Sequence, residues 1–213
     1  MTHEFNPFVV GKSYEISESA KALLGCIDVQ NKHLIRKGIL NFNLTKLLDD
    51  SILEKLEQLE VKSTKKMSGS PNTMHKYGSE NVISELEFKD IFSKVEPFIF
   101  EFYGLDLSKD FSIYTNFSVH YSKNRDKKLS KHIDDSDITV NICLKNTLED
   151  ECSLIFYGSS SSTMSYRTQE STTLVNFKKG DMLIHRGSHI HETKSLEDGD
   201  GDRCNIIIWL KLK

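Results

Sequence analysis

From Phe111 onward the apolar residues stop recurring every three or four positions and begin to alternate. Ile113, Thr115, Phe117, Val119 and Tyr121 interleave with Tyr114, Asn116, Ser118 and His120. A strand imposes this period of two because successive side chains leave opposite faces. The same pattern predicts further strands at 138–144, 153–157, 172–177, 181–184 and 204–212, separated by Gly-, Ser- or Asp-rich turns. No helix-length segment lies between these runs, so the expected architecture is an antiparallel sandwich or barrel rather than a series of βαβ units.

The first half reads differently. Ile52, Leu53, Leu56 and Leu59 recur at helical spacing behind a Ser51-x-x-Glu54 capping box. A second helix is predicted over 88–103 from Phe88, Ile91, Phe92, Val95, Ile99 and Phe102, kinked at Pro97 and stopped by Gly104. Between them, 62–78 contains Gly69 and Pro71 and reads as loop. Residues 1–40 show no period that fixes an element. The expectation is an α+β chain forming a single domain over 1–213, with a helical N-terminal region, 1–108, packed against a β core, 109–213.

Charge and cysteine content narrow the function classes. Lys and Arg number 28 against 31 Asp and Glu, for a net charge of −3. No global basic excess points to nucleic acid or to an anionic membrane surface. The longest apolar run, Ile206 to Leu210, is far short of the ~20 residues that span a bilayer. The opening residues lack a basic-then-apolar leader pattern, so a cytoplasmic or nuclear location is expected. Cys26, Cys143, Cys152 and Cys204 form no CxxC pair and are too sparse for a disulfide scaffold; Cys143 and Cys204 read as small buried hydrophobes.

Chemistry concentrates in two places. In His132-Ile-Asp134 the imidazole and carboxylate share a face if the segment is extended, so both can grip one ion. A third ligand is available from His185, His189 or His191. Two histidines and one carboxylate leave positions open on a metal, the facial arrangement of non-haem Fe(II) oxygenases. An HxD pair alone is more often a solvated histidine beside a turn carboxylate; the histidine-rich second cluster raises the case for a metal. Arg203, twelve residues past His191, opens the last apolar strand and offers a bidentate fork for a dicarboxylate. Asp198-Gly-Asp200-Gly-Asp202 lacks the Gly and the Glu that a calcium loop needs at its sixth and twelfth positions, occupied here by Arg203 and Trp209, and reads as a solvated acidic turn.

Four segments, Ser70 to Gly78, Phe117 to Tyr121, His132 to Leu144 and Gly180 to Trp209, together resemble the 2-oxoglutarate- and Fe(II)-dependent oxygenases of the prolyl/lysyl hydroxylase type. The resemblance is strongest to the 2-oxoglutarate and iron-dependent oxygenase domain-containing proteins. It implies a double-stranded β-helix (jelly-roll, cupin-like) core. It also implies Fe(II) on His132, Asp134 and His191, with His189 as the rival third ligand, because 197–202 carries extra residues before Arg203. Arg203 matches the clamp on the distal carboxylate of 2-oxoglutarate and Tyr121 a supporting hydroxyl, with Thr139 and Asn141 as candidate pocket polars.

The implied reaction is hydroxylation of a C–H bond, consuming O₂ and 2-oxoglutarate and releasing succinate and CO₂, with ascorbate as an optional accessory. By analogy the primary substrate is a protein or peptide side chain. Neither a membrane nor nucleic acid is an expected partner, and the basic run Lys123 to Lys128 reads as a solvated loop near the site. The alternatives are a catalytically inactive β-helix used for binding and another cupin-like metalloenzyme, for which Arg203 would have no use. Tyr121 could equally be core, and His185 reads as a structural histidine at a strand end. Ser70 to Gly78 is expected either to wall the substrate groove or to pack helices onto the sandwich.

Overall fold

A computed structural model describes residues 4–5, 13–14, 39–44, 54–55, 58–59, 80–93, 96, 106–147, 153–158, 172–195 and 201–213. Its elements run β1 (Glu4–Phe5), β2 (Ser13–Tyr14), β3 (Ile39–Asn43), α1 (Glu85–Phe92), α2 (Leu107–Asp110), β4 (Phe111–Ser122), β5 (Leu129–His132), β6 (Ile138–Asn146), β7 (Ser153–Tyr157), β8 (Thr172–Asn176), β9 (Asp181–Arg186), β10 (His191–Thr193) and β11 (Asp202–Leu212). Two antiparallel sheets dominate, a five-stranded one in the order β3-β9-β6-β11-β4 and a four-stranded one in the order β5-β10-β7-β8. This is the antiparallel sandwich the alternation called for.

The period of two assigns each side chain its environment. Along β6, Ile138, Val140, Ile142 and Leu144 face outward into one core with Phe88, Ile91 and Phe92 of α1. Thr139 and Asn141 face a cavity between the sheets. Along β11, Cys204, Ile206, Ile208 and Leu210 join the outer core, whereas Arg203, Asn205 and Ile207 line the cavity. A second core ties Leu154 and Phe156 of β7 and Val175 of β8 to Cys143 and Leu183 across the sandwich. A third, of Phe117, Val119, Tyr121, Leu129 and Trp209, flanks the cavity.

Helix α1 begins where Ser84 and Glu87 form a capping box: the Ser84 side chain accepts from Glu87 N–H, and Glu87 accepts from Ser84 N–H at 2.8 Å. The segment before it is pinned to β4 by Asn116, which accepts from Ile83 N–H at 2.9 Å and donates to Ile83 O at 3.0 Å.

Five strands, β1, β2, β3, β5 and β10, fall outside the sequence-based expectation. The N-terminal half supplies β3, an edge strand paired with β9 from Ile39↔His185 to Asn43↔Asp181, so the sheet does not begin at residue 109. The short strands β5 and β10 are too brief for alternation to declare itself. The second helix starts at Glu85 rather than 88; Pro97, Gly104, the Ser51 cap, Ser70 to Gly78 and most of the acidic turn before Arg203 lie outside the described residues.

Ile91 is fully buried, whereas Leu86, on the same helix, is 72% exposed. Ile91→Ala should therefore cost about 2–5 kcal/mol. Leu86→Ala should stay within ~0.5 kcal/mol. Urea unfolding of both variants checks this assignment of the α1 face.

Candidate metal centre

Strand β5 ends on His132 and β10 begins on His191, and the antiparallel register sets these two residues opposite each other. Their rings lie 4.3 Å apart, centroid to centroid. Asp134, just past the end of β5, brings Oδ1 to 3.5 Å from His132 Nε2 and Oδ2 to 3.7 Å from His191 Nε2. Each of the three side chains offers one ligand atom within 4.8 Å of the others. Among the described residues neither His189 nor His185 belongs to this group.

Backbone carbonyls fix how the imidazoles present themselves. His132 Nδ1 lies 2.7 Å from Ser130 O, and His191 Nδ1 lies 2.9 Å from His189 O. A carbonyl can only accept, so each Nδ1 carries the hydrogen and each Nε2 presents a lone pair to the common centre. His189 thus serves His191 through its backbone. Asp134 is held as firmly: Thr139 Oγ1 donates to its Oδ2 at 2.6 Å, and Ser136 Oγ sits 2.8 Å from Thr139 Oγ1. Asp134 N–H donates to Gly187 O at 2.9 Å, and Gly187 N–H donates to Asp137 O at 3.2 Å. The two segments cross so closely that a Cβ on Gly187 would stand 2.1 Å from Ser136 O.

Burial alone pushes the Asp134 carboxyl up. The His132 contact, the nearby His191 and His185 rings and the Thr139 hydroxyl outweigh it and hold the group below the usual carboxylate range. Burial pushes His191 down against the opposing pull of Asp134. It pushes His185 down to about 3. The result is one carboxylate between two imidazoles, a donor set that fits a divalent cation such as Fe(II) with coordination positions left over.

A cavity lined by these three side chains extends to Arg203. Arg203 is 1% exposed. Its guanidinium lies over the Tyr121 ring, 4.7 Å from the centroid, with Nη2 donating to Thr193 Oγ1 at 3.4 Å. Tyr121 OH is also 3.4 Å from Thr193 Oγ1. On the wall between, Asn205 Nδ2 donates to Asn141 Oδ1 at 2.9 Å.

The cavity thus brings together His132, Asp134, His191, Tyr121, Thr139, Asn141 and Arg203, the residues singled out from sequence. It also holds three that were not, or not in this role. Thr193 and Asn205 follow His191 and Arg203 by two positions, a same-face spacing that marks both. His185 lines the cavity as well as sitting near a strand end. Cys143 and Cys204 are free and buried, as expected, and burial raises the Cys143 thiol. Arg125, in the basic loop, packs its Nη1 against His120 Nδ1.

No protein-family model matches the chain. Curated proteins do. The chain is 30% identical over 167 residues to 2-oxoglutarate and iron-dependent oxygenase domain-containing protein 2 of Danio rerio, covering 75% of this chain and 45% of that protein. It is 27% identical over 175 residues to the domain-containing protein CP2 of Arabidopsis thaliana, covering 76% and 42%. The chain spans about half the length of these relatives. Among solved structures, it is similar to the non-heme alpha ketoglutarate dependent carbocyclase SnoK, with a TM-score of 0.58, 10% identity and coverage of 87% and 84%. It is similar too to a 2OG-Fe(II) oxygenase family oxidoreductase from Burkholderia pseudomallei, with a TM-score of 0.57, 12% identity and coverage of 92% of each chain. These structural likenesses establish the fold.

Two predictions follow from the packing of the centre. Gly187→Ala should force the Asp134 segment outward, weakening Fe(II) binding by roughly 10–100-fold. It should also lower stability by about 1–3 kcal/mol; metal titration and urea unfolding read the two effects. The second concerns pH in the metal-free protein. Unfolded imidazoles titrate near ~6.5, whereas burial keeps His185 and His191 neutral to lower pH. Below that value the unfolded chain binds more protons, so stability is full above pH ~6.5 and falls as the pH drops through it. The urea midpoint should be lower at pH ~5.5 than at ~7.5.

Proposed function

We infer that this chain, related by sequence and by fold to the 2-oxoglutarate- and iron-dependent oxygenases, is itself such an enzyme, holding Fe(II) on His132, Asp134 and His191 and 2-oxoglutarate on Arg203. It hydroxylates a C–H bond of a protein side chain, with release of succinate and CO₂. The observation that carries this reading is the pairing, in one cavity, of a two-histidine, one-carboxylate cluster with a fully buried arginine. His191 and Thr193, which touches the Arg203 guanidinium, are two residues apart on β10, about 7 Å of strand. A five-carbon dicarboxylate chelated at one end and clamped at the other spans a gap of that order.

Bound Fe(II) and 2-oxoglutarate together supply the O₂-activating chemistry. The chain supplies geometry. Carbonyl-bound Nδ1–H groups aim two Nε2 lone pairs, and Thr139 with the Gly187 backbone holds the carboxylate. Arg203, backed by Tyr121 and Thr193, fixes the distal carboxylate, a bidentate role a lysine cannot reproduce. Phe117, Val119, Leu129 and Ile207 line the same cavity and keep it poor in competing water. A dicarboxylate clamp also separates this reading from a hydrolase or isomerase on the same fold. The side-chain substrate rests on the resemblance to prolyl and lysyl hydroxylases. Among the described residues, no helix is long and apolar enough to cross a membrane.

Succinate formation from 2-oxoglutarate under Fe(II) and O₂, against a panel of peptides, tests the proposal. His132→Ala and Asp134→Ala should abolish it, and turnover at the wild-type rate in either would refute the ligand assignment. Arg203→Ala should raise the KM for 2-oxoglutarate by about 100-fold, the scale of a lost charged hydrogen-bond pair, with Arg203→Lys recovering part. An unchanged KM in Arg203→Ala would remove Arg203 as the carboxylate clamp, and with it the strongest argument for this cosubstrate.

A further inference from the structure

Among the described residues, two buried polar atoms on one stretch of the larger sheet have no hydrogen-bond partner: Trp209 Nε1 and Glu80 Oε1. Trp209 continues the face of β11 that sets Arg203, Asn205 and Ile207 on the cavity wall, and it is 8% exposed. Its cross-strand partner on β6 is Thr139, whose hydroxyl holds Asp134. The indole is thus rooted one strand spacing, about 5 Å, from the support of a metal ligand. Glu80 pairs with Phe117 beyond the edge strand β4. Opposed residues share a face, so Glu80 stands on the same side of the sheet as Phe117. Phe117 lines the cavity, and its ring meets that of Trp209 edge-on, 5.3 Å between centroids. Phe117, Trp209, Val119, Tyr121 and Leu129 form one apolar cluster.

This stretch offers one donor and one acidic acceptor to a partner from outside the chain, because a buried polar atom left unmet is costly, most of all on a charged group. The cosubstrate does not answer both. The oxygens of 2-oxoglutarate all accept, so none can serve Glu80, and Arg203 draws that dianion toward the other end of β11. A peptide residue with a cationic side chain does answer both. Its backbone carbonyl accepts from the indole N–H, its ammonium or guanidinium donates to the carboxylate, and its methylenes lie along Phe117. The backbones of Trp209 and Glu80 are two strand spacings apart, about 10 Å, the reach of an extended lysine or arginine. We propose that Glu80 is a specificity-determining residue that selects a basic side chain, Lys or Arg, of the peptide substrate, while the Trp209 N–H holds that residue's carbonyl. The inference rests on the oxygenase reading above and narrows its substrate class.

Trp209 is the only tryptophan in the sequence, so its fluorescence reports on this wall directly. The test is a titration of the Mn(II)- and 2-oxoglutarate-loaded protein, where no turnover intervenes, with capped Gly-Gly-X-Gly-Gly peptides in which X is Lys, Arg, norleucine or Glu. The Lys and Arg peptides should change the Trp209 emission and bind at least about tenfold more tightly than the other two, the scale of a charge-assisted hydrogen bond. Glu80→Gln keeps the shape and removes the charge. It should cut that preference to about threefold or less, with Mn(II) and 2-oxoglutarate affinities held; a merely structural Glu80 would shift all four peptides together. Equal Kd for the Lys and norleucine peptides, a preference that survives in Glu80→Gln, or basic peptides that leave the Trp209 emission unchanged overturns the proposal. Protein that takes up Mn(II) but no 2-oxoglutarate, before any peptide is added, would instead defeat the functional reading on which this inference stands.

Discussion

The pairing of β10 with β5 is the contact on which the site depends. These strands are short, three and four residues, and their register sets His191 opposite His132 at the edge of the smaller sheet. A slip of one residue would turn His191 out of the cavity and bring Glu192 or Ile190 into its place, because side chains alternate faces. The register is secured from the other flank, where β10 also pairs with β7 from His191↔Phe156 to Thr193↔Leu154, and Phe156 and Leu154 are core residues. Hydrophobic burial in β7 thereby fixes the position of a polar side chain one strand in from the edge of the sheet.

Asp134 depends on a different device. It lies beyond the end of β5, where no ladder restrains it, and is secured by the backbone exchange with Gly187 and the hydroxyls of Thr139 and Ser136. Only a residue without a side chain permits that crossing. Charge balance then completes the arrangement: a buried carboxylate is tolerable because the imidazoles and a donated hydroxyl offset its desolvation.

Much of this was legible in the sequence and some was not, for definable reasons. The long strands β4, β6 and β11 announced themselves through sustained alternation, and the inward polar residues Thr139, Asn141 and Arg203 stood out as exceptions to apolar faces. His132-Ile-Asp134 carried its own geometry. The choice between His189 and His191 could not be read locally, since both share a face in an extended segment; it is the pairing with β5 that sets them apart. Strands of three or four residues hold too few side chains for a period to show, and the alternation through β3, Leu40-Asn41-Phe42-Asn43-Leu44, is a single short run standing apart from the other strands. Gly187 was invisible as a constraint because its neighbour, Ser136, is distant in sequence. His185 read as structural because a strand-end histidine usually is; its place on the cavity wall emerges only with the pairing of β9 and β6.

The central claim is that three side chains, brought together by strand register, form a metal centre facing a buried arginine. A crystal structure of the protein grown anaerobically with Mn(II) and 2-oxoglutarate tests it most directly. The account predicts one metal ion at about 2.0–2.2 Å from His132 Nε2, an Asp134 carboxylate oxygen and His191 Nε2. The cosubstrate should run from that ion to the Arg203 guanidinium. A metal ion bound through His189, or a ligand carboxylate placed away from Arg203, would contradict it.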